Sequence, residues 1–122
     1  DFFVYAVSHA GPERALLLEI AAPEAVIQMS AVAWYEFFRG PRTAVQLGVA
    51  RGFLREDGVV TFGEELASAA AEVFRSLGSP RKRAADIAIG VTAMSVGATL
   101  FTRNAKDFHG IPGLSLKSVE KQ

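Results

Sequence analysis

Short apolar segments of strand length alternate with helical patterns along this chain, and that alternation is what most restricts its fold. The apolar segments lie at residues 2–7, 25–29, 59–62, 98–102 and 114–118, and the helical patterns at 12–22, 31–39, 43–56, 63–77 and 84–96. Strands separated by helices pair in parallel, because the helix returns the chain to the end of the sheet at which the previous strand began. We therefore expect an α/β domain in three layers, with a short central parallel sheet flanked by helices.

The composition fits one soluble domain spanning residues 1–122. Half of the residues are hydrophobic and 21% are charged, which excludes a disordered polar chain. The chain has no cysteine, which excludes a disulfide scaffold, a zinc ribbon and a cysteine nucleophile and suggests the cytoplasm. The longest uncharged stretch, 87–102, is shorter and more polar than a membrane-spanning helix. We expect Trp34, Tyr35 and the phenylalanines in the core rather than in a base-stacking platform.

Glu36 is the first polar residue in an unexpected place. The segment around it reads Ala-Val-Ala-Trp-Tyr-Glu-Phe-Phe over residues 31–38, which implies burial on most sides of the helix. A carboxylate in such surroundings is costly unless it pairs with a cation or binds a metal. Glu36 is therefore either a functional carboxylate or part of a structural ion pair with Arg39, Arg42 or a distant arginine.

Asp86 is the second such residue, because it begins a long uncharged stretch. A carboxylate in the first turn of a helix also interacts favourably with the helix dipole, so a plain capping role is the alternative. Gly90 lies one turn further on the same face. Its lack of a side chain serves either the approach of backbone or ligand, or tight packing of the helix.

A polar turn follows the apolar segment that ends at Thr102. In α/β sheets the ligand site lies beyond the carboxyl ends of the strands, which is where this turn falls. Asn104 and Asp107 could coordinate a metal or its water, or could simply stabilise the turn. Residues 75–106 also hold six basic residues against Asp86 alone, which suits a polyanionic substrate or a solvated loop.

Three motifs occur in a fixed order. Residues 30–40 contain a serine, then Glu36, then a glycine; residues 85–93 contain Asp86 in an Ile-Ala-rich helix; residues 97–108 form an apolar strand with a polar turn, followed by Ile-Pro-Gly-Leu. Together they resemble the PIN-domain nucleases, and within them the VapC-type toxins of bacterial and archaeal toxin–antitoxin pairs. The resemblance covers most of the chain.

The resemblance implies an endoribonuclease that depends on Mg²⁺ or Mn²⁺. In that case Asp1, Glu36, Asp86 and Asn104 would hold the metal, Asp107 would join them in catalysis, and Arg103 and Arg83 would contact the RNA backbone. The expected partners are an RNA substrate, a small VapB-like antitoxin whose C-terminal arm covers the site, and a second copy of the chain in a homodimer. No membrane partner is expected.

Two departures from the family pattern bear on the site. Asp1 is either the first catalytic Asp, followed by an unusual Phe2-Phe3, or it lies two residues after that position. In both cases we expect the central first strand to be missing from the N-terminus of the printed chain. The second departure is Asn104, which occupies an acidic position of the family.

Asn104 keeps a non-catalytic alternative open, in which a PIN-like module binds RNA or protein without cutting it. A receiver-type phospho-acceptor domain has a similar size and alternation. It is disfavoured because Asp57 follows a helical stretch rather than a buried strand.

Overall fold

The computed structural model of the chain describes residues 4–7, 26–54, 58–102 and 104–118. The strands are β1 (Val4–Val7), β2 (Val26–Ser30), β3 (Val59–Val60), β4 (Thr99–Thr102) and β5 (Ser115–Ser118). The helices of the described part are α1 (Ala31–Phe38), α2 (Ala44–Phe53), α3 (Glu64–Ser76) and α4 (Ala84–Ser95). Two 3₁₀ turns, Arg81–Arg83 and Ala105–Phe108, flank α4 and β4. The helix expected at residues 12–22 lies outside the described residues.

The described strands form one parallel sheet, as the alternating pattern predicts. Their order is β3-β2-β1-β4-β5, and every neighbouring pair is parallel. The Cα of Val7 is in register with Met29 on one side and with Phe101 on the other. The strand order therefore reverses at β1, and the carboxyl ends of β2, β1 and β4 meet at one edge. In open α/β sheets that edge, at the point of reversal, is where ligands bind.

Strand β1 holds the central position of the described sheet. Val4–Val7 lies between β2 and β4, and the expectation that the family's first strand is missing from the N-terminus stays a prediction. The segment reads Val-Tyr-Ala-Val, and its β-branched and aromatic residues favour a strand between two apolar neighbours. Asp1, which precedes this strand in the chain, lies outside the described residues.

Helix α4 forms the centre of the described core. Its residues Ile87–Ala93 are all buried, so the helix is covered on every side. It packs on β2 and β4, on α1 and on α3, and the segment after β4 covers a further side. Each fully buried Ile or Val side chain contributes roughly 1.5–3 kcal/mol, so this uncharged helix is a major source of stability. No helix within the described ranges is long and apolar enough to cross a membrane.

The ends of two elements differ from the sequence pattern by more than one residue. Helix α2 ends at Phe53 rather than at residue 56, because Leu54 leaves the helical conformation and becomes buried. Strand β3 has two residues instead of four, since it pairs only with the last two residues of β2, Met29 and Ser30. The start of α2 follows local chemistry closely: Thr43 and Gln46 form a reciprocal capping box.

Candidate functional site

Ser30 connects the carboxyl end of β2 to α1, the helix that carries Glu36. Its backbone is extended, its side chain is buried, and its Oγ accepts a hydrogen bond from the Ala33 N–H at 3.0 Å. This is the N-cap expected from the sequence, and it fixes the position at which the strand turns into the helix. Helix α1 therefore begins at the sheet edge where a ligand is expected.

Glu36 is half-buried in α1, so its surroundings are less enclosed than the apolar segment suggests. Only Ala33 and Phe37 are buried in this helix. The Oε1 atom of Glu36 is nevertheless shielded from solvent and accepts no hydrogen bond from the described residues, although the residue has other interactions. A carboxylate held in this way can serve either as a cation ligand or as an ion-pair partner, so both interpretations of Glu36 stay open.

Glu36 lines an open depression of about 340 Å³ together with Phe37, Arg39 and Arg42. The Arg42 Nε donates to the Phe37 carbonyl oxygen at 2.9 Å, and its guanidinium carbon lies 4.2 Å from the centroid of the Phe37 ring. The guanidinium carbon of Arg39 lies 5.4 Å from the centroid of the Tyr35 ring. The depression thus brings one carboxylate and two guanidinium groups together.

Asp86 is the third residue of α4 and is half-buried. The chain leaves α4 to enter the amino end of β4, so α4 runs opposite to the strands and begins near their carboxyl edge. The capping position belongs to Arg83, whose side chain caps no helical N–H. Asp86 therefore lies in the first turn, where a negative charge is favourable, and it interacts with other groups.

The turn after β4 is held by Thr102. This side chain is buried, and its Oγ1 accepts a hydrogen bond from the Asn104 N–H at 3.1 Å. The Asn104 carbonyl then accepts from the Asp107 N–H at 2.9 Å, which starts the 3₁₀ turn. Asn104 is exposed, Asp107 is half-buried and Phe108 is buried. The sequence placed this turn at the site edge, but it did not indicate Thr102 as its anchor.

Arg83 ties that turn to the beginning of α4. Its Nε donates to the Asp107 carbonyl oxygen at 3.0 Å, and its Nη2 donates to the His109 carbonyl oxygen. The sequence analysis predicted an RNA contact for Arg83, and that role stays a prediction. What the sequence missed is that two of its donors satisfy backbone groups 24 and 26 residues away, a pairing for which the sequence carries no signal.

The sequence left two roles open for Gly90, the approach of backbone or ligand and tight packing of the helix, and its surroundings favour packing. An added Cβ would lie 2.6 Å from Ile111 Cδ1, 3.3 Å from Leu114 Cδ2 and 3.4 Å from Phe108 Cδ1. The missing side chain therefore allows close packing of α4 against the segment after the turn. Asp86 lies one helical turn before Gly90 on the same face, hence on the side of α4 that faces this segment.

A family model and solved structures were compared with the chain. The model of the PIN domain matches residues 1–114. The chain belongs to the PIN domain family. A comparison with curated proteins found no match.

Solved structures share the fold of this PIN domain at low sequence identity. VapBC2 from Rickettsia felis, bound to a promoter DNA fragment, matches with a TM-score of 0.67 and 18% identity over 97% of this chain and 100% of the other. DNA-bound VapBC from Salmonella typhimurium matches with a TM-score of 0.65 and 18% identity, over 95% of this chain and 98% of the other. VapBC-1 from Haemophilus influenzae matches with a TM-score of 0.68 and 17% identity, also over 95% of this chain and 98% of the other.

The described part of this PIN domain contains some, but not all, of the expected site residues. Asp1 and Arg103 lie outside it. Within it there is no group of three or more His, Asp or Glu side chains that could hold a metal ion. The donor chemistry nevertheless fits Mg²⁺, because this ion is commonly bound through one or two carboxylates while it keeps several waters. Glu36 and Asp86 are half-buried carboxylates on α1 and α4, the two helices that begin at this edge.

Proposed function

We propose that this PIN domain is a Mg²⁺- or Mn²⁺-dependent endoribonuclease and the toxin of a toxin–antitoxin pair. The observation that carries the proposal is the family match together with two half-buried carboxylates, Glu36 and Asp86, on helices that begin at the carboxyl edge of the sheet. The structural likeness to VapBC proteins supports a small VapB-like antitoxin as partner. A homodimer in the cytoplasm completes the proposal.

The proposed roles divide between carboxylates and cations. Glu36 and Asp86, with an N-terminal Asp and Asn104 or Asp107, would hold the divalent ion. When bound, such an ion supplies an activated water and neutralises charge on the phosphate. Asp1 is the N-terminal candidate in one of the two possible alignments.

The rest of the site would position the reacting groups. Arg83 keeps Asp107 beside the beginning of α4 through its bonds to the turn. Thr102 fixes the backbone of Asn104 in the same turn. Arg103 and Arg83 would contact the RNA backbone, which orients the strand without reading its sequence.

The experiment compares cleavage of single-stranded RNA by the full-length protein and by Glu36→Gln, Asp86→Asn and Glu72→Gln. Glu72 is an exposed carboxylate on α3 and serves as the matched control. We expect the first two variants to lose cleavage and Mn²⁺ binding by calorimetry, with circular dichroism unchanged, whereas Glu72→Gln behaves as the wild type. Metal binding that persists in both variants would make Glu36 an ion-pair residue and Asp86 a cap.

A non-catalytic PIN module that binds RNA or protein is the second candidate. It is favoured by Asn104, an exposed amide at a position where the family carries an acid, whose backbone is already used by the turn. Tight RNA binding that is insensitive to EDTA, without cleavage in Mg²⁺ or Mn²⁺, would support this candidate. Metal-dependent cutting would exclude it.

A further inference from the structure

The second half of α1 exposes aromatic rings that we expected in the core. Tyr35 is 61% exposed and Phe38 is 50% exposed, although both lie in the most apolar of the described helices. Phe38 rests partly against Trp34, with ring centroids 5.7 Å apart. The expectation of core positions is therefore wrong for Tyr35 and Phe38, because the buried side of α1 is already occupied by Ala33 and Phe37.

Arginines accompany these rings at the edge of the depression that Glu36 lines. The Arg42 guanidinium is held by its Nε bond to the Phe37 carbonyl and by the Phe37 ring beneath it. That bond uses Nε, whereas end-on bidentate contact with a phosphate uses the two terminal nitrogens of a guanidinium. The Arg39 guanidinium lies over one face of the exposed Tyr35 ring. We call Tyr35, Phe38, Arg39 and Arg42 the α1 subsite.

The charge of the depression suits a phosphodiester. Among the described residues that line it, two guanidinium groups and the Glu36 carboxylate give a formal charge of +1, opposite to that of one phosphodiester group. An exposed tyrosine ring with a guanidinium over one face leaves its other face for an unpaired base to stack on. Single-stranded nucleic acid is bound by this combination of charge and aromatic surface. A base in a duplex is already stacked and cannot use the ring.

We propose that the α1 subsite binds single-stranded RNA beside Glu36, with a backbone phosphate on Arg39 and Arg42 and an unpaired base on Tyr35. The inference rests on the proposed nuclease function, because it places the subsite next to one of the proposed metal ligands. The alternative occupant of this face is a second protein chain. Exposed apolar side chains also favour a protein interface, and Val45 and Val49 of α2 are exposed as well. The two arginines favour RNA over an apolar partner surface.

The test compares the affinity of the protein for a labelled, unstructured single-stranded RNA with its affinity for the same sequence in duplex form. Fluorescence anisotropy in EDTA measures both affinities over a range of salt concentrations. The variants are Tyr35→Leu, the double variant Arg39→Ala/Arg42→Ala, and Arg75→Ala as an exposed arginine on α3. Thermal melts and light scattering of each variant report on folding and oligomeric state.

The subsite predicts a separate effect for each variant. The double arginine variant lowers the slope of log affinity against log salt by ~0.7, which corresponds to the single phosphate that the two arginines neutralise. Tyr35→Leu weakens single-strand binding about tenfold with the slope unchanged, and leaves duplex binding as in the wild type. The Arg75→Ala slope changes by less than that of the double variant.

Three results would overturn the subsite. The first is equal loss of single-strand and duplex binding in Tyr35→Leu. The second is an unchanged salt slope in the double variant. The third is a change of oligomeric state in Tyr35→Leu with unchanged RNA affinity, which would assign this face to a protein partner.

The subsite and the proposed nuclease function fail in different ways. If the wild type cleaves RNA with Mg²⁺ while the variants bind RNA as it does, the subsite is wrong and the nuclease stands. If the wild type does not cleave and the variants lose binding as expected, the nuclease function fails and the subsite stands.

Discussion

Replacing Gly90 by alanine tests whether α4 packs against the segment after β4 as closely as the structure shows. The new Cβ would lie 2.6 Å from Ile111 Cδ1, a distance at which one of the two groups must move. Leu114 and Phe108 stand at 3.3 and 3.4 Å, and because Ile111 and Phe108 are buried, the side-chain ends must shift within the packed core. Overpacking of this kind costs about 1–3 kcal/mol, while alanine gains about 1 kcal/mol over glycine in a helix interior. We expect a net loss of about 1 kcal/mol in the free energy of unfolding.

Gly48→Ala is the matched control, because Gly48 lies inside α2 and an added Cβ there meets no atom within 4 Å. This variant should gain about 0.5–1 kcal/mol from helix propensity and a less flexible unfolded chain. The two substitutions are chemically identical, so the difference in sign isolates the packing.

Urea unfolding of both variants and the wild type, followed by circular dichroism, measures the difference. With an m-value of about 1–3 kcal/mol/M, the two midpoints should separate by about 0.5–2 M and fall on opposite sides of the wild type. A Gly90→Ala protein that is as stabilised as Gly48→Ala would refute the close packing, and with it our explanation of this glycine.

Three further changes test the anchors of the site. Ser30→Ala should lower the free energy of unfolding by about 1 kcal/mol, measured in urea, because the first turn of α1 loses its cap; an unchanged midpoint would contradict this role. Arg83→Ala should speed amide hydrogen exchange in the turn after β4, since two carbonyls lose a charged donor, whereas exposed Lys82→Ala should not; equal exchange in both would argue against the clamp. Leu100→Ala should cost about 2–5 kcal/mol in thermal or urea unfolding, as the side chain is fully buried in β4, and a loss below 1 kcal/mol would dispute its core position.

The elements of the described chain could be predicted well because their signals are local. The alternation of apolar and helical segments gave the parallel sheet, and Ser30 gave the start of α1 through its hydroxyl. The two larger errors concern the ends of β3 and α2. The end of β3 depends on how far its neighbour β2 extends, and the end of α2 depends on the burial of Leu54. Both are contacts with residues distant in the sequence, so no local pattern predicts them.

The site could be predicted only as residue types at one edge. The motifs singled out Glu36, Asp86 and the turn after Thr102, and the topology brings the elements that carry them to the carboxyl side of the sheet. The contacts that hold them could not be foreseen. Arg83 donates hydrogen bonds to carbonyls more than twenty residues away, and Ile111 fills the space that a side chain at position 90 would need. Both contacts join parts of the chain that are distant in sequence.

The two halves of the candidate site differ in how far the fold encloses them. Asp86 lies in the first turn of a buried helix, and the side chain of its N-cap residue Arg83 bonds to the backbone carbonyl of Asp107, so the two segments that carry these carboxylates are joined. Glu36 belongs to a short helix with exposed Tyr35 and Phe38 and an open depression at its end. Catalysis needs fixed groups, and RNA binding needs an accessible surface. In the proposed nuclease the enclosed α4 side would hold its catalytic carboxylate in place, whereas α1 would supply both the metal ligand Glu36 and the surface on which the RNA enters.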